Sequence, residues 1–332
     1  MKAPLLKTLE QCRTVYFCGL VKNAGKTIAL RQAMREARRA GVRVAVTSVG
    51  RDGEAFDAIY SDFAKPLLDF EPGDLVVTSE GLLPSDDSVA ALRRFSIHSP
   101  IGSIVAAKVN RPCTFEVAGP STIAGLRTAQ TWLSAHGAEL FLIDGALDRK
   151  AASMPDLCDG IVVSSGAAVS DDMELVLSQT RSAIDMLHLD NDQPEDGDLR
   201  LTFSPIFDSE EELGAVIANG KEKNIVIEVQ GAVTERMIRY LMREQLFDRC
   251  RVVADCFAKV FINRQRWVDY KRMGLNLSYR RQVRVLSLTV NPVPPFGPSF
   301  EAAEFLTAMR GRIPELPVFD LFMADYSHGL VQ

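Results

Sequence analysis

The chain has 332 residues, 47% of them hydrophobic and 24% charged, with a formal net charge of −5. That composition belongs to a globular protein of one large domain or two ordinary ones, and the acidic balance argues against non-specific nucleic-acid binding. Six cysteines (12, 18, 113, 158, 250, 256) lie scattered with no Cys-x-x-Cys pair, which suits a reduced cytosol better than a disulfide framework or a zinc site. No apolar run approaches the ~20 residues of a membrane span, and the run Val15 to Val21 is too short for a signal peptide. A soluble, cytoplasmic protein without a membrane partner is expected.

In chain order, Val15 to Cys18 predict a short buried strand and Ile28 to Ala40 a helix. Between them stands Gly19-Leu-Val-Lys22-Asn-Ala-Gly25-Lys26-Thr27. A strand turning through Gly-Lys-Thr into a helix is the setting of a phosphate-binding loop, in which backbone N–H groups and the positive helix end converge on phosphate oxygens. Residues Lys22, Asn23, Ala24, Gly25, Lys26, Thr27 and Ile28 would then cradle ATP. Lys26 would reach the β- and γ-phosphates as a catalytic residue, and Thr27 would offer its hydroxyl to Mg²⁺. The competing reading is an ordinary glycine-containing turn. The standard spacing asks for glycine at position 20, occupied by Leu20, and Gly19 comes one residue early. Lys22 is displaced by one place from the variant motif that carries a second lysine.

Val42 to Val49 predict the second strand, followed by the charged loop Gly50-Arg-Asp52-Gly53-Glu54. Further strands are predicted at Asp74 to Ser79 and Ile101 to Val109, and a helix through His136 with Ser121 as its N-cap. Glu139-Leu-Phe-Leu-Ile-Asp144 is an uninterrupted apolar run ending in Asp, the pattern of a central parallel strand buried on both faces. Gly160 to Gly166 repeats it, with a helix over Asp171 to Leu189. Alternating strands and helices predict an α/β fold, a mostly parallel sheet flanked by helices, with ligands beyond the carboxyl ends of the strands. The acidic stretch Asp190 to Asp198 reads as a linker. It separates a first domain over 1–190 from residues 199–332. Those carry strands at 224–229, 250–253 and 283–290 and an amphipathic helix over Thr234 to Gln245. They form either a domain of their own or an extension of the first sheet.

Asp144 has the position of a carboxylate that holds Mg²⁺ or its water; the alternative is the opening of an Asp-Gly turn. Asp52 and Glu54 stand where a catalytic switch carboxylate would orient water or bind the metal, or else in a solvated loop. Arg51, Arg149 and Lys150 are weaker candidates for an anionic ligand. Lys22 would stabilise a transferring phosphoryl group, across a homodimer, or face solvent. Histidines 98, 136, 188 and 328 are too dispersed for a metal cluster. The absence of an Asn-Lys-x-Asp guanine motif favours ATP over GTP.

Gly19 to Thr27, Thr47-Ser-Val-Gly-Arg-Asp-Gly-Glu54, Ala118-Gly-Pro-Ser121, Leu142-Ile-Asp-Gly-Ala-Leu-Asp-Arg-Lys150, Asp159 to Gly166 and Thr289-Val-Asn-Pro292 together resemble a family of bacterial P-loop proteins of amino-acid fermentation. Its members are named as the reactivase subunit of the adenosylcobalamin-dependent lysine 5,6-aminomutase. A looser likeness extends to dethiobiotin synthetase. The first resemblance implies a P-loop NTPase with ATP and Mg²⁺ that services a partner, the aminomutase or a second reactivase subunit. The second implies a synthetase-like enzyme in which the γ-phosphate activates a small carboxylate. A degenerate loop would leave a non-catalytic assembly subunit.

Overall fold

The structure, a computed structural model, describes residues 4–49, 67–99, 101–146, 155–204, 210–218 and 224–321. It is α/β and falls into two compact units, residues 1–176 with 285–332, and residues 177–284.

The first unit opens with α1 (Pro4–Leu9), β1 (Thr14–Gly19), α2 (Lys26–Arg39) and β2 (Val44–Ser48). It continues through β3 (Leu68–Phe70), β4 (Leu75–Ser79), β5 (Val89–Ser99), β6 (Gly102–Val109), β7 (Cys113–Phe115) and α3 (Ile123–Ala135). Then come β8 (Leu140–Ala146), β9 (Gly160–Gly166) and α4 (Met173–Leu187), in which the unit boundary falls. Nine strands form one sheet in the order β17-β16-β9-β1-β8-β2-β4-β6-β5. Seven run parallel, and the hairpin β5–β6 closes the edge antiparallel. From β1 the chain moves one way to β2, and from β9 it moves the other way. With right-handed crossovers that reversal puts helices on both faces, with the switch point at β1.

Strand registers follow from burial. Val15 and Phe17 of β1, Val44 and Val46 of β2, and Leu140 and Leu142 of β8 share one core with Ala29, Leu30, Ala33, Met34 and Ala37 of α2. Side chains alternate along a strand. Asp144 therefore continues the 140–142 series on the α2 side, and Phe17 and Ser48 are its register partners on the flanking strands. Burying a Leu30 or Met34 side chain contributes about 2 kcal/mol; this packing fixes the helix over the strand ends.

The second unit runs β10 (Leu199–Phe203), α5 (Glu210–Ala218), β11 (Ile225–Val229), β12 (Val233–Thr234), α6 (Glu235–Arg243), β13 (Cys250–Ala254), β14 (Val260–Phe261), α7 (Arg264–Arg272) and β15 (Asn276–Tyr279). Its parallel sheet has the simple order β10-β11-β13-β15. Every crossover steps the same way, so α5, α6 and α7 share one face. After it the chain returns to the first sheet as β16 (Val285–Asn291), α8 (Ala302–Arg312) and β17 (Val318–Asp320).

Three sequence expectations change. Residues 199–332 are neither one domain nor one extension: 199–279 build their own sheet, and 285–320 complete the first. Asp190 to Asp198 is no loose linker. Asn191 bridges to Tyr279, and Asp192 N–H donates to Tyr279 O at 2.6 Å. The N-cap of α3 is Thr122, not Ser121: its Oγ1 accepts from Gly125 N–H at 3.1 Å. Among the described residues no helix is long and apolar enough to cross a membrane.

Candidate functional site

The carboxyl end of β1 leads straight into the glycine-containing loop. Gly19 ends the strand under the fold-back of the loop: a Cβ there would stand 3.0 Å from Val21 O and 3.3 Å from Ala24 Cβ. A side chain at position 19 would therefore crowd the loop as it folds back. Leu20 and Ala24 turn into the core, while Lys22 and Asn23 are exposed. Asn23 and Gly25 both adopt left-handed backbone, φ 64° and 98°. Gly25 then caps α2, its carbonyl accepting from Ile28 and Ala29 N–H. Asn tolerates that conformation and Gly adopts it without strain. Lys26, Thr27 and Ile28 form the first turn of α2, each half-buried.

Lys26 Nζ donates to both carboxylate oxygens of Asp144, at 2.8 and 3.0 Å. The two side chains are 25% and 20% exposed. Asp144 is itself held by its backbone, its carbonyl accepting from Val49 N–H at 2.8 Å. Thus the candidates at 22–28 and Asp144 come together at one edge of the sheet. Asp52 and Glu54, with Arg51, Arg149 and Lys150, lie outside the described residues.

Two residues that the motif does not point to brace the same edge. Asn291, buried at the end of β16, donates through Nδ2 to Asn23 O at 3.4 Å, while its Oδ1 accepts from Val293 N–H at 2.9 Å. Ser48, opposite Asp144, donates to Val117 O at 2.8 Å. That ties the segment before α3 across the ends of β2 and β4, where Ala118 N–H donates to Thr78 Oγ1 and Ser79 N–H to Ala118 O. A strand that ends in Asn before a proline-rich loop is the only sequence signal for the first, and Ser48 carries none. On the other side of β1, Leu20 N–H donates to Ser164 O, and Ser164 and Thr289 hydroxyls meet at 2.7 Å.

The donor set is oxygen only: the Asp144 carboxylate and the Thr27 hydroxyl in the first turn of α2, directly after the loop. Hard cations such as Mg²⁺ use one or two carboxylates together with ligand phosphates and water. Among the described residues no group of three His, Cys, Asp or Glu side chains converges as a metal site. A cation at Asp144 would therefore complete its shell with water and the oxygens of a bound phosphate, which these residues fit. The ammonium of Lys26, the helix N-terminus and the exposed loop offer positive potential to the same ligand.

No family model matches this sequence, and no curated protein is similar enough to it to count as a relative.

Proposed function

We propose that this chain is a P-loop NTPase that binds ATP with Mg²⁺ and uses its hydrolysis to service a partner enzyme. The observation that carries the reading is one arrangement: a loop with two left-handed residues, a lysine in the first helical turn, and a carboxylate of the adjacent strand within 3.0 Å of that lysine. In this reading Lys26 grips the β- and γ-phosphates, and Thr27 and Asp144 hold Mg²⁺, which neutralises phosphate charge. The loop residues 22–25 line the polyphosphate. Hydrolysis changes partner affinity only if the ATP and ADP states differ in free energy toward that partner. The partner class, an adenosylcobalamin-dependent aminomutase or a second reactivase subunit, comes from the sequence resemblance alone.

Calorimetric titration of the full chain with ATP and magnesium chloride is the test. Saturable binding that Lys26→Ala weakens by about tenfold or more supports the reading, and absence of binding, with Lys26→Ala indistinguishable from wild type, overturns it in favour of an assembly subunit. ATP turnover stimulated by an aminomutase supports the servicing role. Turnover that depends on a small carboxylate and releases ADP would replace it with the synthetase-like reaction.

A further inference from the structure

We propose, building on the nucleotide-binding reading, that the Lys26–Asp144 ion pair is a latch that makes ATP and divalent-cation binding depend on one another. The ammonium that would grip phosphate is already engaged by two carboxylate oxygens, at 2.8 and 3.0 Å. About three quarters of each side chain is shielded from solvent, so the pair is screened less than a surface pair. The backbone of Asp144 is held in place, because β1 and β2 pair with it on both sides and Val49 N–H donates to its carbonyl.

Each ligand arriving alone meets an obstacle. A polyphosphate without metal draws Lys26 off and leaves the Asp144 carboxylate unpaired beside phosphate oxygens of its own sign. A cation without phosphate has to displace an ammonium held by two hydrogen bonds, and then lies beside it. When both arrive, lysine passes to phosphate and carboxylate to cation, and every charge keeps an opposite partner. Coupling of this kind is reciprocal: ATP raises the affinity for Mg²⁺ by the factor by which Mg²⁺ raises the affinity for ATP.

The test titrates ATP into the full chain, once in EDTA and once in magnesium chloride, for wild type, Asp144→Asn, Lys26→Met and the double variant. Asp144→Asn is expected to tighten metal-free ATP binding about tenfold, the scale of releasing one charge-assisted contact. That gain is expected to vanish in the Lys26→Met background, because there is no ammonium left to release. An equal gain without Lys26 overturns the latch, since simple charge repulsion then accounts for it. An unchanged metal-free affinity in Asp144→Asn overturns it as well, while leaving nucleotide binding intact. Failure of the wild type to bind ATP with magnesium removes the nucleotide-binding reading and the latch together. A measurement without nucleotide stands beside these: the acylation rate of the Lys26 amine, read by mass spectrometry against exposed Lys22. Slow labelling of Lys26 that Asp144→Asn accelerates about tenfold supports the latch. Equal labelling of the two lysines in the wild type overturns it.

Discussion

The two sheets of this protein treat charge in opposite ways. In the nine-stranded sheet β1, β2, β9 and β16 are buried along their whole length and carry no charged residue, and the Lys26–Asp144 pair stands near the loop end of β1 and β8. In the four-stranded sheet charge lies on the strands themselves. Leu201, Ile227, Val252 and Leu277 align on one face, and Arg200, Val226, Arg251 and Asn276 on the other. The acidic segment 190–198 covers this second face. Arg251 meets Asp198 at 2.7 Å, Glu195 at 2.9 Å and Asp192 at 3.3 Å; Arg200 pairs with Asp192, and with Glu228 at 2.7 Å. The hydrogen bond to Asp192 holds the Arg200 guanidinium above its ordinary pKa, against the opposing pull of burial. One set of ions is consumed by internal partners shared several ways. The other is a single pair at the start of α2, which in the proposed function a ligand would take apart.

Five measurements put that contrast at risk, beginning with the largest effect. Gly119 passes against the β2 end so closely that a Cβ would lie 2.6 Å from Ser48 O and nearer still to Thr47 Oγ1. Gly119→Ala is expected to cost about 3 kcal/mol in urea unfolding, by overpacking a rigid edge. A cost near zero would mean the edge around the Lys26–Asp144 pair yields freely. Arg251→Met is expected to cost about 2 kcal/mol, because Asp192 and Asp198, 6% and 5% exposed, lose a shared cation. Lys26→Met should cost under about 1 kcal/mol, as the loss of one partly exposed pair does. Equal costs for these two substitutions would erase the distinction between shared and single ion pairs. Thr122→Ala, which removes the cap at the start of α3, should cost about 1 kcal/mol.

The smallest effect belongs to Glu301, whose carboxylate caps α8 by accepting from Glu304 and Ala303 N–H. Those bonds hold its pKa below the ordinary glutamate value. The sign follows: a depressed folded pKa gives stability that is present above the unfolded value and is lost as pH falls through the folded one. Glu301→Ala should therefore differ from wild type in thermal midpoint at pH 7 and converge with it below about pH 3. A gap that persists in acid would assign the residue a packing role.

The same contrast explains what could be read from sequence. Buried parallel strands are unbroken apolar runs, so β1, β2, β8 and β9 were legible, and Asp144 stood out as the charge that ends one. The Gly-Lys-Thr turn located the loop because its chemistry is local. The strands β10, with Arg200, and β15, of four residues, show no such run, since one face is polar and its neutralising partners lie in another segment. The edge strand β5 was hidden for a related reason: Ala91 to Arg94 are exposed and its register is broken, which blurs the period of two. The contacts of Ser48 and Asn291 could not be read locally, because they come from register and from a strand far along the chain.

That distance matters for biosynthesis. The amide that braces Asn23 belongs to a residue 268 positions later, on a strand that joins the sheet only after the whole second unit has been made. On the ribosome the loop, its lysine and its carboxylate are complete once residue 146 has emerged; β9, made next, still waits for its neighbour β16. A stalled or clipped chain ending before residue 285 therefore carries the loop without its brace and leaves the edge of β9 open to foreign strands. The contact between Asn291 and the loop thus forms only when β16 takes its place beside β9.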